Sequence, residues 1–120
     1  MATILLIDDQ ESVLQVEREM LEMLGYSVLY AQTGTEALSL FDRQVETISL
    51  VILDYSLPEM SSSEILARLK QISPAVKVMI ASGHDREGKV SVLLNRGCAF
   101  LQKPFSLQEL SSRIEACLNS

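Results

Sequence analysis

Five residues carry the chemistry open to this sequence: the pair Asp8 and Asp9, the isolated Asp54, then Ser82 and Lys103. Each stands at or just past a short β-rich run: ILLI before Asp8, LVIL before Asp54, VKVMIA before Ser82, and AFL two positions before Lys103. Carboxylates gathered in one place repel, and at low local dielectric that repulsion is costly unless a cation compensates it. A small, hard divalent ion suits such a cluster. Mg2+ is typically held by one or two carboxylates and keeps positions for water and a phosphate oxygen. Lys103 would add a fixed positive charge, and Ser82 a hydroxyl donor. Together these groups describe a pocket for a phosphoryl group carried by one of the carboxylates. It would form by carboxylate attack on phosphorus, with metal and Lys103 neutralising the charge on the group in transfer.

That pocket exists only if the chain brings the ends of these runs to one place. Residues 3–7, 27–31, 50–53, 76–81 and 99–101 read as strands, and each is followed by helical periodicity. Val13, Val16, Met20, Leu21 and Leu24 share a helical spacing that Gly25 terminates. Ala37, Leu38 and Phe41 follow Gly34 in the same way. Ser61 and Glu64 have the spacing of a capping box ahead of Ile65, Leu66, Leu69 and Ile72, with Pro74 beyond. Val90, Leu93 and Leu94 mark a weaker, more polar helix closing at Gly97. Ser106 and Glu109 repeat the box before Leu110, Ile114 and Leu118.

Five strand–helix units without a hairpin signal predict a three-layer α/β fold, a five-stranded parallel sheet covered by helices on both faces. Ligands of such folds sit outside the carboxyl ends of the strands, where the strand order reverses. In a flavodoxin-like order 2-1-3-4-5 the third strand is central, so Asp54 stands between the Asp8–Asp9 pair and the Ser82 and Lys103 side. It is therefore the candidate nucleophile.

At 120 residues and 48% hydrophobic content the chain reads as one domain, 1–120. A formal net charge of -6, with ten scattered Lys and Arg, argues against direct nucleic-acid binding. No apolar run approaches the ~20 residues that cross a bilayer, and no basic flank precedes the first, so neither membrane insertion nor a signal peptide is expected. The expected location is cytoplasmic, which suits Cys98 and Cys117 as ordinary buried thiols. The methionines at 20, 23, 60 and 79 read as packing. His84, a lone His without convergent ligands, reads as neither metal ligand nor phosphodonor.

These stretches, LLIDDQ at 5–10, AQTGTEAL at 31–38, LVILDYSLPEM at 50–60, IASGH at 80–84 and GCAFLQKPF at 97–105, together resemble the response-regulator receiver domain of two-component signalling. LGY at 24–26 and ASGH at 81–84 are similar to the receiver segments of hybrid histidine kinases. The resemblance implies the flavodoxin-like receiver fold and a role for Asp54 as phosphoacceptor from a phosphohistidine. It implies Mg2+ ligated by Asp9, Asp54 and the backbone carbonyl of Ser56, with Asp8 assisting through water. Ser82 and Lys103 would bind phosphoryl oxygens, Phe100 would move inward with Ser82, and the Lys103–Pro104 bond would be cis.

The implied partners are a cognate histidine kinase or histidine phosphotransfer domain, and a downstream effector or attached output domain. Output would pass through the fourth helix, fifth strand and fifth helix, including Arg86, Glu87, Lys89, Ser91, Asn95 and Arg96. Ser61 and Ser62 stand where many receivers carry an acidic or amide residue and then Gly, which leaves that loop's conformation open.

Other readings weigh against these. Asp8 and Asp9 alone could be an acidic turn into a helix, Lys103 a surface lysine, Ser82 a loop serine and Phe100 a core aromatic; their joint placement at strand ends favours the pocket. A flavodoxin-type phosphate loop would be repelled by DDQE, an aspartyl-nucleophile phosphatase wants a second acid where Ser56 stands, and no GxGxxG follows the first strand. The remaining alternative is a pseudo-receiver, a protein-binding module that keeps the fold without phosphotransfer.

Overall fold

The computed structural model describes residues 2–83 and 99–119. The expected fourth helix with Val90, Leu93, Leu94 and Gly97, its polar face over 86–96, and His84 and Cys98 lie outside the described residues. Five parallel strands, β1 (Thr3–Ile7), β2 (Ser27–Ala31), β3 (Ile48–Asp54), β4 (Val78–Ser82) and β5 (Ala99–Gln102), form one sheet of order β2-β1-β3-β4-β5. Helices α1 (Glu11–Met23), α2 (Gly34–Arg43), α3 (Ser62–Ile72) and a C-terminal helix (Leu107–Leu118) complete the described elements.

Side chains alternate across the sheet, and the two faces build two separate cores. Leu5 and Ile7, Val51 and Leu53, Val78 and Ile80 pack with Ala37 and Phe41 of α2 and Ile65, Leu66 and Leu69 of α3. Ile4 and Leu6, Leu50 and Ile52, Met79 and Ala81, and Leu101 pack with Leu14 and Leu21 of α1 and Leu110 and Ile114 of the C-terminal helix. Burial on both faces is why β1, β3 and β4 are nearly continuously apolar.

β3 is longer than its apolar run because Ile48 pairs with Thr3 and Asp54 itself pairs with Ala81. β4 starts later than expected, since the Val76 amide is committed to a turn, donating to Ser73 O at 3.0 Å.

Two expectations about packing fail on α1. Val16 is 56% exposed, and the buried stripe is Leu14, Glu17 and Leu21, with Val13, Met20 and Leu24 along its edge. Counting apolar residues rotated the predicted face toward Val16, because it passed over an acid that the fold buries. Met23 likewise is 73% exposed, while Met79 is fully buried.

The helix ends follow local chemistry. Gly25 takes φ 95° just past α1, a left-handed conformation that other residues adopt at a cost. Thr33 caps α2 by accepting from Glu36 N at 3.1 Å, a cap the periodicity did not reveal. Ser106 and Glu109 form a complete capping box, each backbone N–H donating to the other's side chain at 3.0 Å. The expected box at Ser61 is only half present: Ser61 Oγ accepts from Glu64 N, but the Glu64 carboxylate lies 3.0 Å from Arg68 on the next turn. Ser106→Ala is expected to lower stability by about 1 kcal/mol, and Ser61→Ala by less, both readable in urea melts.

Candidate functional site

The alternation that builds the two cores also aims the polar residues. Asp8 continues the phase of Ile4 and Leu6, Asp54 that of Leu50 and Ile52, and Lys103 that of Ala99 and Leu101, all residues of the α1 face. Ser82 continues the phase of Val78 and Ile80, and Phe100, half-buried and opposite Ile80, packs against the α2–α3 core. The predicted constellation therefore has two parts, acids and lysine toward α1, serine and phenylalanine toward the other face.

Lys103 is the hub of the first part. Its ammonium donates to Asp8 Oδ2 at 2.9 Å and Asp54 Oδ1 at 3.3 Å, and lies 3.7 Å from Glu17 Oε2. Its backbone is fixed by donation from Lys103 N to Ser82 O at 2.8 Å, and the Lys103–Pro104 bond is cis, as the resemblance implied.

Asp8 is buried and divides its oxygens: Oδ2 serves Lys103, while Oδ1 accepts from Gln10 N at 3.0 Å. The turn-forming role of this acid and its place in the cluster are thus both real. Asp9 is exposed, and carboxylate oxygens of Asp8, Asp9 and Asp54 all lie within 4.8 Å of one another, close enough to hold one metal ion. Ser82 is buried at the end of β4. Ser56 lies exposed on the turn leaving β3.

The charges do not balance, and the pKa values reflect it. Burial pushes the Asp54 carboxyl up; Lys103 opposes that shift, and Asp8 adds to it. For Lys103, burial alone would favour the neutral form, but the hydrogen bond to Asp8 and the charges of Glu17, Asp54 and Asp8 outweigh it and raise its pKa. Three carboxylates around one ammonium, with Asp9 beside two of them, leave a cluster that a divalent cation would relieve, and hard oxygen donors are the set that Mg2+ prefers.

Two residues of this region were not among the candidates. Glu17 is only 7% exposed, and burial drives its carboxyl from 4.5 to about 7, with Lys103 opposing and Asp8 and Asp54 adding. Its signal was an acid inside an apolar helical stripe. Ser62 is buried, and its hydroxyl donates to Tyr55 O at 2.8 Å and Asp54 O at 3.3 Å, which settles the open question of the loop: Ser62 pins the backbone that follows Asp54.

The Glu17 shift has a definite sign in stability. Between pH 4.5 and 7 the folded chain holds a proton that the unfolded chain has released, so stability falls as pH rises across that window. Relative to Glu17→Gln, the wild type is expected to lose on the order of 2 kcal/mol between pH 5 and pH 8 in urea melts.

Among the described residues, no helix is long and apolar enough to cross a membrane. Cys117 is half-buried, and burial raises its thiol pKa. The sequence model of the family described as "Response regulator receiver domain" matches residues 4–115. The chain is 30% identical over 118 residues to the sensor kinase CckA of Brucella abortus, covering 98% of this chain and 12% of that protein. It is 33% identical over 118 residues to the transcriptional regulatory protein CpxR of Escherichia coli K12, covering 98% of this chain and 50% of that one. It thus spans half or less of these curated relatives. A crystal structure of a response regulator receiver domain protein from Clostridium thermocellum superposes with a TM-score of 0.94 at 35% identity, covering 99% of this chain and 95% of that one.

Proposed function

The chain belongs to the response regulator receiver family, a signalling module of two-component systems rather than a classical enzyme, and from that premise we propose that Asp54 accepts a phosphoryl group from a phosphohistidine. The observation that carries this reading is the placement of Asp54 at the end of the central strand, with Lys103 Nζ at 3.3 Å and the carboxylates of Asp8 and Asp9 beside it. An Asp54 Oδ attacks phosphorus, the P–N bond to the donor imidazole breaks, and the imidazole keeps the electron pair and takes up a proton. Lys103 offers N–H donors to the oxygens of the group in transfer, and the Ser82 hydroxyl offers another from the end of β4. Asp8, Asp9, Asp54 and the backbone carbonyl of Ser56 would hold Mg2+, which supplies charge neutralisation for the phosphoryl oxygens.

Once Asp54 carries the group, Ser82 and Lys103 are drawn toward it, and Phe100 follows Ser82 inward. The surface of β5 and the C-terminal helix changes, and that change is read by an effector or an attached output domain. The donor is a cognate histidine kinase or histidine phosphotransfer domain. The unit 1–120 functions as one cytoplasmic domain, whether alone, in a regulator like CpxR or in a kinase like CckA.

Incubation with acetyl phosphate and Mg2+ should add one hydroxylamine-labile phosphoryl group, which peptide mass mapping should place on Asp54. Chelation of the metal should slow uptake on the order of a hundredfold. A chain that never takes up the group in Mg2+ would instead be a pseudo-receiver, and uptake indifferent to chelation would remove the metal site.

A further inference from the structure

Glu17 has no part in the chemistry just described, yet it occupies an expensive position. Its neighbours along the buried stripe of α1 are Leu14 and Leu21, and the groove beside it is lined by Val13, Val16, Met20, Pro104 and Phe105. A carboxylate in such surroundings is costly unless it is paired, and among the described residues its partner is the Lys103 ammonium at 3.7 Å. Lys103 is thus held from two directions, by Asp8 and Asp54 at the strand ends and by Glu17 from the helix. A phosphoryl group on Asp54 would need the same ammonium.

We propose that Glu17 is a positioning residue that tethers the Lys103 ammonium in the resting site and competes for it with a phosphoryl group on Asp54. The proposal rests on the phosphoacceptor reading for its second half only; the tether stands on the geometry alone. Every unit of charge on Glu17 works against the anion twice, by holding Lys103 back and by repelling phosphoryl oxygens through a low-dielectric wall. The first effect passes through Lys103, and this separates a tether from a merely structural acid.

Two measurements test it on the full chain, an alkaline titration of Lys103 and a ligand titration at pH 8. Lys103 Cε shifts followed by NMR titration should show the Lys103 pKa falling in Glu17→Gln, and an unmoved Lys103 overturns the tether whatever Asp54 does. Beryllofluoride, a phosphoryl mimic, is then titrated in Mg2+. Glu17→Gln and Glu17→Leu should each bind it about fivefold tighter than wild type. In a Lys103→Ala background the gain from Glu17→Gln should shrink to less than about twofold. An equal gain in both backgrounds, or none in either, overturns the competition. If wild type binds no beryllofluoride while Lys103 still responds to Glu17→Gln, the phosphoacceptor reading and the competition both fail, and the tether survives.

Discussion

Asp54→Asn is expected to take up no phosphoryl group from acetyl phosphate under conditions that modify the wild type. Asparagine keeps the shape of the side chain but replaces the anionic oxygen pair with an amide whose oxygen is a far weaker nucleophile. A loss of at least about a thousandfold follows, beyond what mass spectrometry would detect over the same interval. Neighbouring acids should not substitute. Asp8 has one oxygen bonded to the Gln10 amide and the other to Lys103, and Asp9 is exposed rather than held at the end of the central strand.

The same substitution should not unfold the chain. Because burial and Asp8 raise the pKa of Asp54, removing its charge relieves the cluster, and the metal-free variant is expected to be at least as stable as wild type near pH 7. Uptake by Asp54→Asn at the wild-type rate, or a collapse of its fold, would defeat the assignment.

Lys103→Ala should have the largest effect on the resting molecule. It leaves Asp8, Asp54 and Glu17 facing one another without the ammonium they share. Removing one member of a buried ion pair commonly costs 3–5 kcal/mol; with Lys103 22% exposed on its side chain, about 2 kcal/mol is expected in metal-free urea melts at pH 8. Mg2+ should restore much of that loss, as should lowering the pH toward 5, because each supplies positive charge to the same oxygens. The signalling consequence is separate. Phosphorylation should remain partly possible, whereas the NMR shifts of Phe100 and Ser82 should no longer follow it. Shifts that move as in wild type would deny Lys103 its part in the switch.

The parts of the fold legible in the sequence are those decided by burial on both faces of a sheet. β1 and β2 coincide with their apolar runs, and Asp8, Asp54, Ser82 and Lys103 do stand at or just past strand ends. What was hidden depends on tertiary partners. Glu17 shows in the sequence only as an acid inside an apolar stripe, because its reason for burial, Lys103, lies far along the chain. Ser62 looked like a departure from a glycine, and only the folded loop shows which carbonyls its hydroxyl reaches. The half-formed box at Ser61 has the same spacing as the complete one at Ser106; Arg68, one turn along, is what draws Glu64 away. The division of the site between the two faces was implicit in the period of two, but it needed the observed register to become visible.

The bond between Lys103 and Asp8 spans 95 positions of the chain and joins two strands that are not neighbours in the sheet. Closing so long a loop is entropically late, so the tie forms only after β3 and β4 have filled the space between β1 and β5. A nascent or partly assembled chain has Asp8 and Asp54 but not their ammonium. On the phosphoacceptor reading, the switch rather than the uptake would in this way certify complete assembly: Lys103 could not relay a signal until the last strand had docked.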